Sequence, residues 1–182
     1  MKPGKPAEDI AGAIAVRRSR LATRAAYGAL LLRIAALLAA GYVFFTQLFL
    51  IMQVRGMDMF PALKDGDLAI VFRLQREYMQ DDVIAYMAED GLHFGRIVAR
   101  ASDVVTMDDT GILLVNGTAQ GGEILYPTYA LEGIEYPFRV PENCLFVLGD
   151  YRTQATDSRV LGPIPLEDVQ GKVLTILRRR GL

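Results

Sequence analysis

The side chains with chemistry to offer fall in three short stretches. Asp58 stands within Val54-Arg55-Gly56-Met57-Asp58-Met59-Phe60-Pro61-Ala62-Leu63-Lys64-Asp65-Gly66-Asp67. His93, the chain's one histidine, precedes Phe94, Gly95 and Arg96. Asp150 and Asp157 belong to Gly149-Asp150-Tyr151-Arg152-Thr153-Gln154-Ala155-Thr156-Asp157-Ser158-Arg159. Two aspartates brought together can share a proton and act on a water molecule as base and acid. Asp58 with Asp150 or Asp157 is the carboxylate pair this chain could build. On a strand, His93 would face the same side as Gly95 and could stand in as a base; an ordinary sheet-face histidine is the simpler reading. A metal held by Asp58 and His93 finds no third ligand at telling spacing, and no metal or cofactor is expected. Cys144 is the only cysteine, which excludes an internal disulfide and a multi-cysteine metal site. Leu145-Phe146-Val147-Leu148 follow it, so it reads as a core residue.

These residues need elements to position them, and the chain supplies two kinds. Residues 1–33 carry Lys2, Lys5, Arg17, Arg18, Arg20, Arg24 and Arg33 against Glu8 and Asp9 alone, within a net charge of −1. A basic head on an acidic body is one pattern of nucleic-acid binding. Set directly before an apolar run, it reads instead as the cytoplasmic flank of a membrane span. The opening Lys2-Pro3-Gly4-Lys5-Pro6 looks flexible, and Ala- and Arg-rich helix follows. Ile34 to Val54 is free of charge between Arg33 and Arg55, about 30 Å of helix and enough to cross a bilayer core. Apolar sequence runs on well past the small residues Ala35–Gly41, which argues against a cleaved signal peptide. The expectation is a single retained span over 34–54, with 1–33 cytoplasmic and 55–182 outside.

Residues 55–182 read as β. Leu68–Phe72, Val83–Met87, Phe94–Ala99, Phe138–Val140, Cys144–Leu148 and Val173–Leu177 are short β-branched or aromatic runs between polar breaks. Ile112–Val115 meets Asn116-Gly117, a dipeptide made for a tight hairpin because both residues tolerate positive φ. Many short strands in this length predict a mainly β, folded-sheet or barrel-like domain. No internal repeat or low-complexity block is visible.

The segment around Asp58 resembles the nucleophile segment of the type I signal peptidases, in which Ser precedes the Met. His93-Phe94-Gly95-Arg96-Ile97-Val98 is similar to the family strand that reads Lys-Arg-Val. Gly149–Arg159, trailed by Gly162-Pro163-Ile164-Pro165, resembles the family's Gly-Asp-Asn-Arg-x-x-Ser-x-Asp-Ser-Arg box. The compact form with one anchor and no large inserted domain resembles Gram-positive members. The resemblance implies a Ser nucleophile and a deprotonated Lys base, oriented by a second Ser. Those positions here hold Asp58, Gly95 and Ala155, so none of the three groups is intact. Gly56, Met59, Pro61, Gly66, Asp67, Arg96, Gly149, Asp150, Arg152, Asp157, Ser158 and Arg159 keep the family's residue types, and Asp157 is expected to pair with Arg159.

The framework persists while the chemistry is gone, so the resemblance implies a catalytically silent signal-peptidase-like protein. An inherited groove (Gly56, Met57, Asp58, Met59, Pro61, His93, Phe94, Gly95, Arg96) would hold an extended secreted polypeptide as an added strand. Silent relatives with this replacement occur beside Gram-positive pilus-assembly systems, which implies an assembly or chaperone role with pilin and sortase-type partners. Two rivals stay open: an active peptidase working through other groups, and a structural tether of a secretion complex.

Overall fold

The computed structural model describes residues 6–121 and 125–178, so the opening stretch expected to be flexible lies largely outside the described residues. The chain divides into two compact units, one up to Thr46 and one from Gln47 onward. The first is formed by helix α1 (Pro6–Leu48), whose last two residues already belong to the second. Its part Ala26–Leu48 is long and apolar enough to cross a membrane, with none of its most apolar window buried against protein. Such a helix, apolar apart from Arg33, Thr46 and Gln47 and uncovered by protein, suits lipid rather than a water-facing surface.

The helix ends six residues before the expected boundary at Val54. Phe49–Gln53 is instead strand β1, paired antiparallel with β2 (Leu68–Phe72) so that Ile51 faces Ile70 across the ladder. The reason is burial with a period of two. Leu50 and Met52 pack onto the domain core, while Ile51 between them stays 55% exposed. The charge-free helical part is then Ile34–Leu48, about 22 Å long, too short for a hydrocarbon core of about 30 Å. The stretch of membrane-crossing length therefore reaches back to Ala26 through Arg33, whose apolar stem could lie along lipid with its head at the interface.

The second unit is built from antiparallel strands: β3 (Val83–Ala88), β4 (Gly91–Arg100), β5 (Val104–Met107), β6 (Leu113–Val115), β7 (Thr118–Ala119), β8 (Phe138–Arg139), β9 (Cys144–Leu148), β10 (Ile164–Pro165) and β11 (Val169–Leu177). A short helix α2 (Ser158–Leu161) follows β9, and a 3-10 turn (Leu166–Asp168) precedes β11. The larger sheet has seven strands in the order β1-β2-β11-β3-β4-β9-β10, the smaller four in the order β7-β6-β5-β8. The predicted hairpin is present: Asn116 and Gly117 take φ of 51° and 79° between β6 and β7. Three apolar clusters hold the unit together. One lies under β1, β2 and the Asp58 segment (Val54, Met59, Leu63, Val71), and one joins the two sheets (Val98, Val105, Phe146, Leu148). The third (Ile84, Tyr86, Ile97, Val147) packs beneath β3, β4 and β9.

Candidate functional site

The loop bearing Asp58 is closed at both ends. The Val54 N–H donates to the Asp67 carbonyl (2.8 Å) and the Gly66 N–H to the Val54 carbonyl (2.9 Å). Gly56 turns the chain out of β1 at φ +82°, a region open to glycine, and its N–H donates to the Asp65 carboxylate (2.9 Å). Met59 is buried in the core below. Asp58, one residue earlier, is thus held between a rigid turn and an apolar anchor.

The loop Gly149–Arg159 meets it from behind, with strands β4 and β9 beyond. The Asp58 carbonyl accepts the Tyr151 N–H at 2.9 Å, which ties the loop to Gly149–Arg159. A Cβ on Gly149 would collide with both the Ala155 side chain and the Asp58 carbonyl. Glycine at 149 is what allows Asp58 and Ala155 to come so close. Gly95 lies on β4, its Cα paired with Ile84 of β3. A Cβ there would meet the Val147 Cγ1, with Tyr86 Cε1 at 3.4 Å and the Leu148 carbonyl at 3.5 Å. Asp58, Gly95 and Ala155 are therefore arranged around Leu148 and Gly149, with neither a hydroxyl nor an amine among them.

Burial is the main force on the Asp58 carboxyl and raises its pKa above 3.8. His93 and the Thr156 backbone N–H oppose the rise, and Asp157 and Asp90 add to it. His93 Nε2 shares a 2.7 Å hydrogen bond with Asp90 Oδ1, which holds the Asp90 carboxyl below its usual range. The imidazole also stacks on Tyr86, with centroids 5.7 Å apart and planes at 25°. Tyr86 is fully buried and its hydroxyl has no protein partner. Burial, then the charges of Asp157, Asp58 and Asp90, push that phenol well above its ordinary value.

The framework residues are spent on structure. Arg96 clamps Asp150 with two bonds, Nε to Oδ1 at 2.8 Å and Nη2 to Oδ2 at 2.7 Å. Asp157, as expected, pairs with Arg159: Nη2 lies 2.8 Å from Oδ2, with both side chains buried. Asp157 also accepts the Gly149 N–H at 3.0 Å. Ser158 Oγ accepts the Val147 N–H at 2.9 Å from a fully buried position, which removes it as a substitute nucleophile. Neither Asp150 nor Asp157 is free to form a proton-sharing pair with Asp58, because each is held by an arginine. Among the described residues, no three His, Cys, Asp or Glu side chains are grouped to hold a metal ion.

Two cavities flank the Asp58 segment. A groove of about 580 Å³ runs between β1 and the start of β4, with Gly56, Asp58, Met59, Asp90, His93 and Phe94 on its walls. The other, of about 600 Å³, is lined by Pro61, Arg96, Asp150 and Arg152 among others. The expected groove set is thus divided: Pro61 and Arg96 belong to the second cavity, Gly95 is buried behind the first, and Met57 is exposed outside the groove walls. The reason is the turn at Met57–Phe60, where the Phe60 N–H donates to the Met57 carbonyl (2.8 Å) and sends Pro61 to the other side. Asp90 and Tyr86 were not anticipated as site residues. Both were reachable, since Tyr86 faces His93 across the β3–β4 ladder and Asp90 sits in its turn.

The family described as signal peptidase, peptidase S26, matches residues 27–177. A probable thylakoidal processing peptidase 2 of the chloroplast of Arabidopsis thaliana is 35% identical over 131 residues, which is 63% of this chain and 34% of that protein. Signal peptidase I of Bacillus caldolyticus is 31% identical over 138 residues, 66% of this chain and 74% of the relative. The chain therefore matches only a third or so of the plant protein's length but about three quarters of the bacterial one. The crystal structure of a signal peptidase I from Enterococcus faecalis V583 aligns with a TM-score of 0.44 at 23% identity, covering 55% of this chain and 98% of that one.

Proposed function

The chain belongs to the signal peptidase family, peptidase S26, and on that premise we propose that it is a membrane-anchored member that binds extended polypeptide without cleaving it. The observation that carries this reading is the set Asp58, Gly95 and Ala155 around Gly149, where acyl transfer would need a nucleophile, a base and a group to orient that base. Neither lysine of the domain stands in for the base. The domain's two lysines are engaged elsewhere, Lys172 with Asp82 at 2.6 Å and Lys64 over the Phe60 ring. An aspartate attacking a peptide carbonyl would have to form a mixed anhydride, an uphill product.

Binding does not need those groups. β1 is the outer strand of the larger sheet, and β4 pairs with β9 only from Arg96 onward. Both strands thus offer unpaired backbone beside the groove, which suits an added strand from another polypeptide. The groove's apolar walls (Leu50, Met52, Met59, Phe94) would take small or apolar side chains. A secreted or pilin-like chain outside the membrane, handed on to a sortase-type partner, is the occupant we favour; pilin and sortase genes beside this one would support it.

The raised Asp58 carboxyl with His93 acting on it favours one second reading, a hydrolase using Asp58 on a water molecule. A single experiment separates the two. Purified full-length protein in detergent is incubated with a secretory precursor, and both cleavage and binding are measured. Binding without cleavage is expected, unchanged in Asp58→Ala. Cleavage that disappears in Asp58→Ala would replace the silent reading with the carboxylate mechanism.

A further inference from the structure

The second cavity contains a charge that the described residues leave without a counter-ion. Arg152 lines it and is only 3% exposed. Its guanidinium donates to the Gly149 carbonyl (2.8 Å), the Thr128 hydroxyl (2.6 Å) and the Gln120 side-chain carbonyl (3.0 Å), all neutral acceptors. Among the described residues, no carboxylate lies within ion-pair distance of it. The charges that act on it come as two completed pairs, Arg96 with Asp150 and Arg159 with Asp157, and each pair largely cancels itself. Burial pulls the Arg152 pKa down to about 10, the direction expected of a cation kept from water without a counter-ion.

Buried cations are normally paired. A guanidinium has five N–H donors, and among the described residues three are spent, all on neutral acceptors. Of the other two arginines that line the cavity, Arg96 is paired with Asp150, and Arg178 is half exposed and already bonded to the Ala62 carbonyl, with Asp67 3.5 Å away. Pro61 and Ala62, on the cavity wall, follow directly on the segment whose other side forms the groove.

We propose that this cavity is a carboxylate-binding subsite, in which Arg152 receives an acidic side chain of a polypeptide that crosses Asp58 from the groove. It rests on the polypeptide-binding reading only for the source of the carboxylate; the subsite itself follows from Arg152. Its consequence is selectivity: a peptide with Glu in the register that reaches the cavity outcompetes the same peptide with Gln there.

The test uses full-length protein in detergent and fluorescent ten-residue Ala/Val/Ser peptides, with one Glu walked along the sequence and matched Gln controls. A gain of roughly tenfold in affinity for Glu over Gln is expected at one register, absent at the others, and lost in Arg152→Gln. Because that variant removes three buried hydrogen bonds, Ala62→Trp is the companion: it obstructs the cavity from its wall, leaves those bonds in place and should also erase the gain. Peptides that bind with Glu and Gln equal at every register would overturn the subsite and leave the polypeptide reading standing. If no peptide binds, that reading fails, and succinate against succinamide at matched ionic strength decides the subsite. A rise in melting temperature with succinate alone, missing in Ala62→Trp, would uphold it; equal responses would end it.

Discussion

At the scale of single residues, Asp58 costs the fold stability as well as chemistry. A carboxyl whose pKa rises on folding stabilises the protein fully while it is protonated in both states, and that contribution is lost as pH climbs through the folded value. Asp58 is raised above 3.8, chiefly by burial, so near neutral pH its charge opposes folding. Asp58→Asn keeps the shape and an acceptor for the Thr156 N–H. It should therefore melt higher than the native protein at pH 7, and the difference should shrink to nothing as pH falls below 3.8. A melting series from pH 3 to pH 8 reads this directly; a variant that melted lower than the native protein at pH 7, with the deficit closing toward acid, would mean that Asp58 is held by a favourable partner instead.

At the scale of elements, the strands decide whether the missing chemistry could be restored. Asp58→Ser, Gly95→Lys and Ala155→Ser rebuild the nucleophile, the base and its orienting hydroxyl. The backbone at Gly95 lies outside the left-handed region, so conformation does not forbid Lys there; the obstacle is Val147 on β9, which a Cβ would strike. Val147 is fully buried and β-branched, with one strongly preferred way to stand. The triple variant should thus be destabilised and inactive, and adding Val147→Ala should restore folding and give measurable precursor cleavage. Single changes should do little, because such groups act as a unit. A quadruple variant that folds and binds precursor but never cleaves it would show a remodelled groove.

This obstacle was not legible in the sequence, because Gly95 and Val147 meet only through the β4–β9 ladder. What could be read from local pattern were the hairpin at Asn116-Gly117 and most strands by their β-branched runs; the Asp157–Arg159 pair was expected only from the family resemblance. The helix end was misplaced for a related reason. Phe49–Gln53 is apolar enough to extend a membrane span, and only its partner β2 makes it a strand. The Arg96–Asp150 clamp joins residues whose types were recognisable but whose meeting depends on the whole fold.

At the scale of the whole molecule, function depends on which side of the membrane the β domain occupies. Arg17, Arg18, Arg20 and Arg24 precede the apolar part of α1, which begins at Ala26, and Arg33 lies within it. Beyond the helix comes Arg55, and Asp58, Asp65 and Asp67 follow within the next turns. Lys and Arg close to a span are retained on the cytoplasmic side, whereas Asp and Glu contribute little to orientation. The four arginines before the span outnumber Arg55 and Lys64 after it, which predicts a cytoplasmic N-terminus and an outward-facing domain. Arg33 agrees with that direction, since its head can reach back to the inner interface but not across the core. Protease added to intact protoplasts carrying epitope tags at both ends should remove the C-terminal tag and spare the N-terminal one. Permeabilised cells should lose both. A protected C-terminal tag in intact protoplasts would place the groove in the cytoplasm, where no secreted chain arrives in extended form after crossing the membrane, and the polypeptide-binding reading would then need a cytoplasmic client.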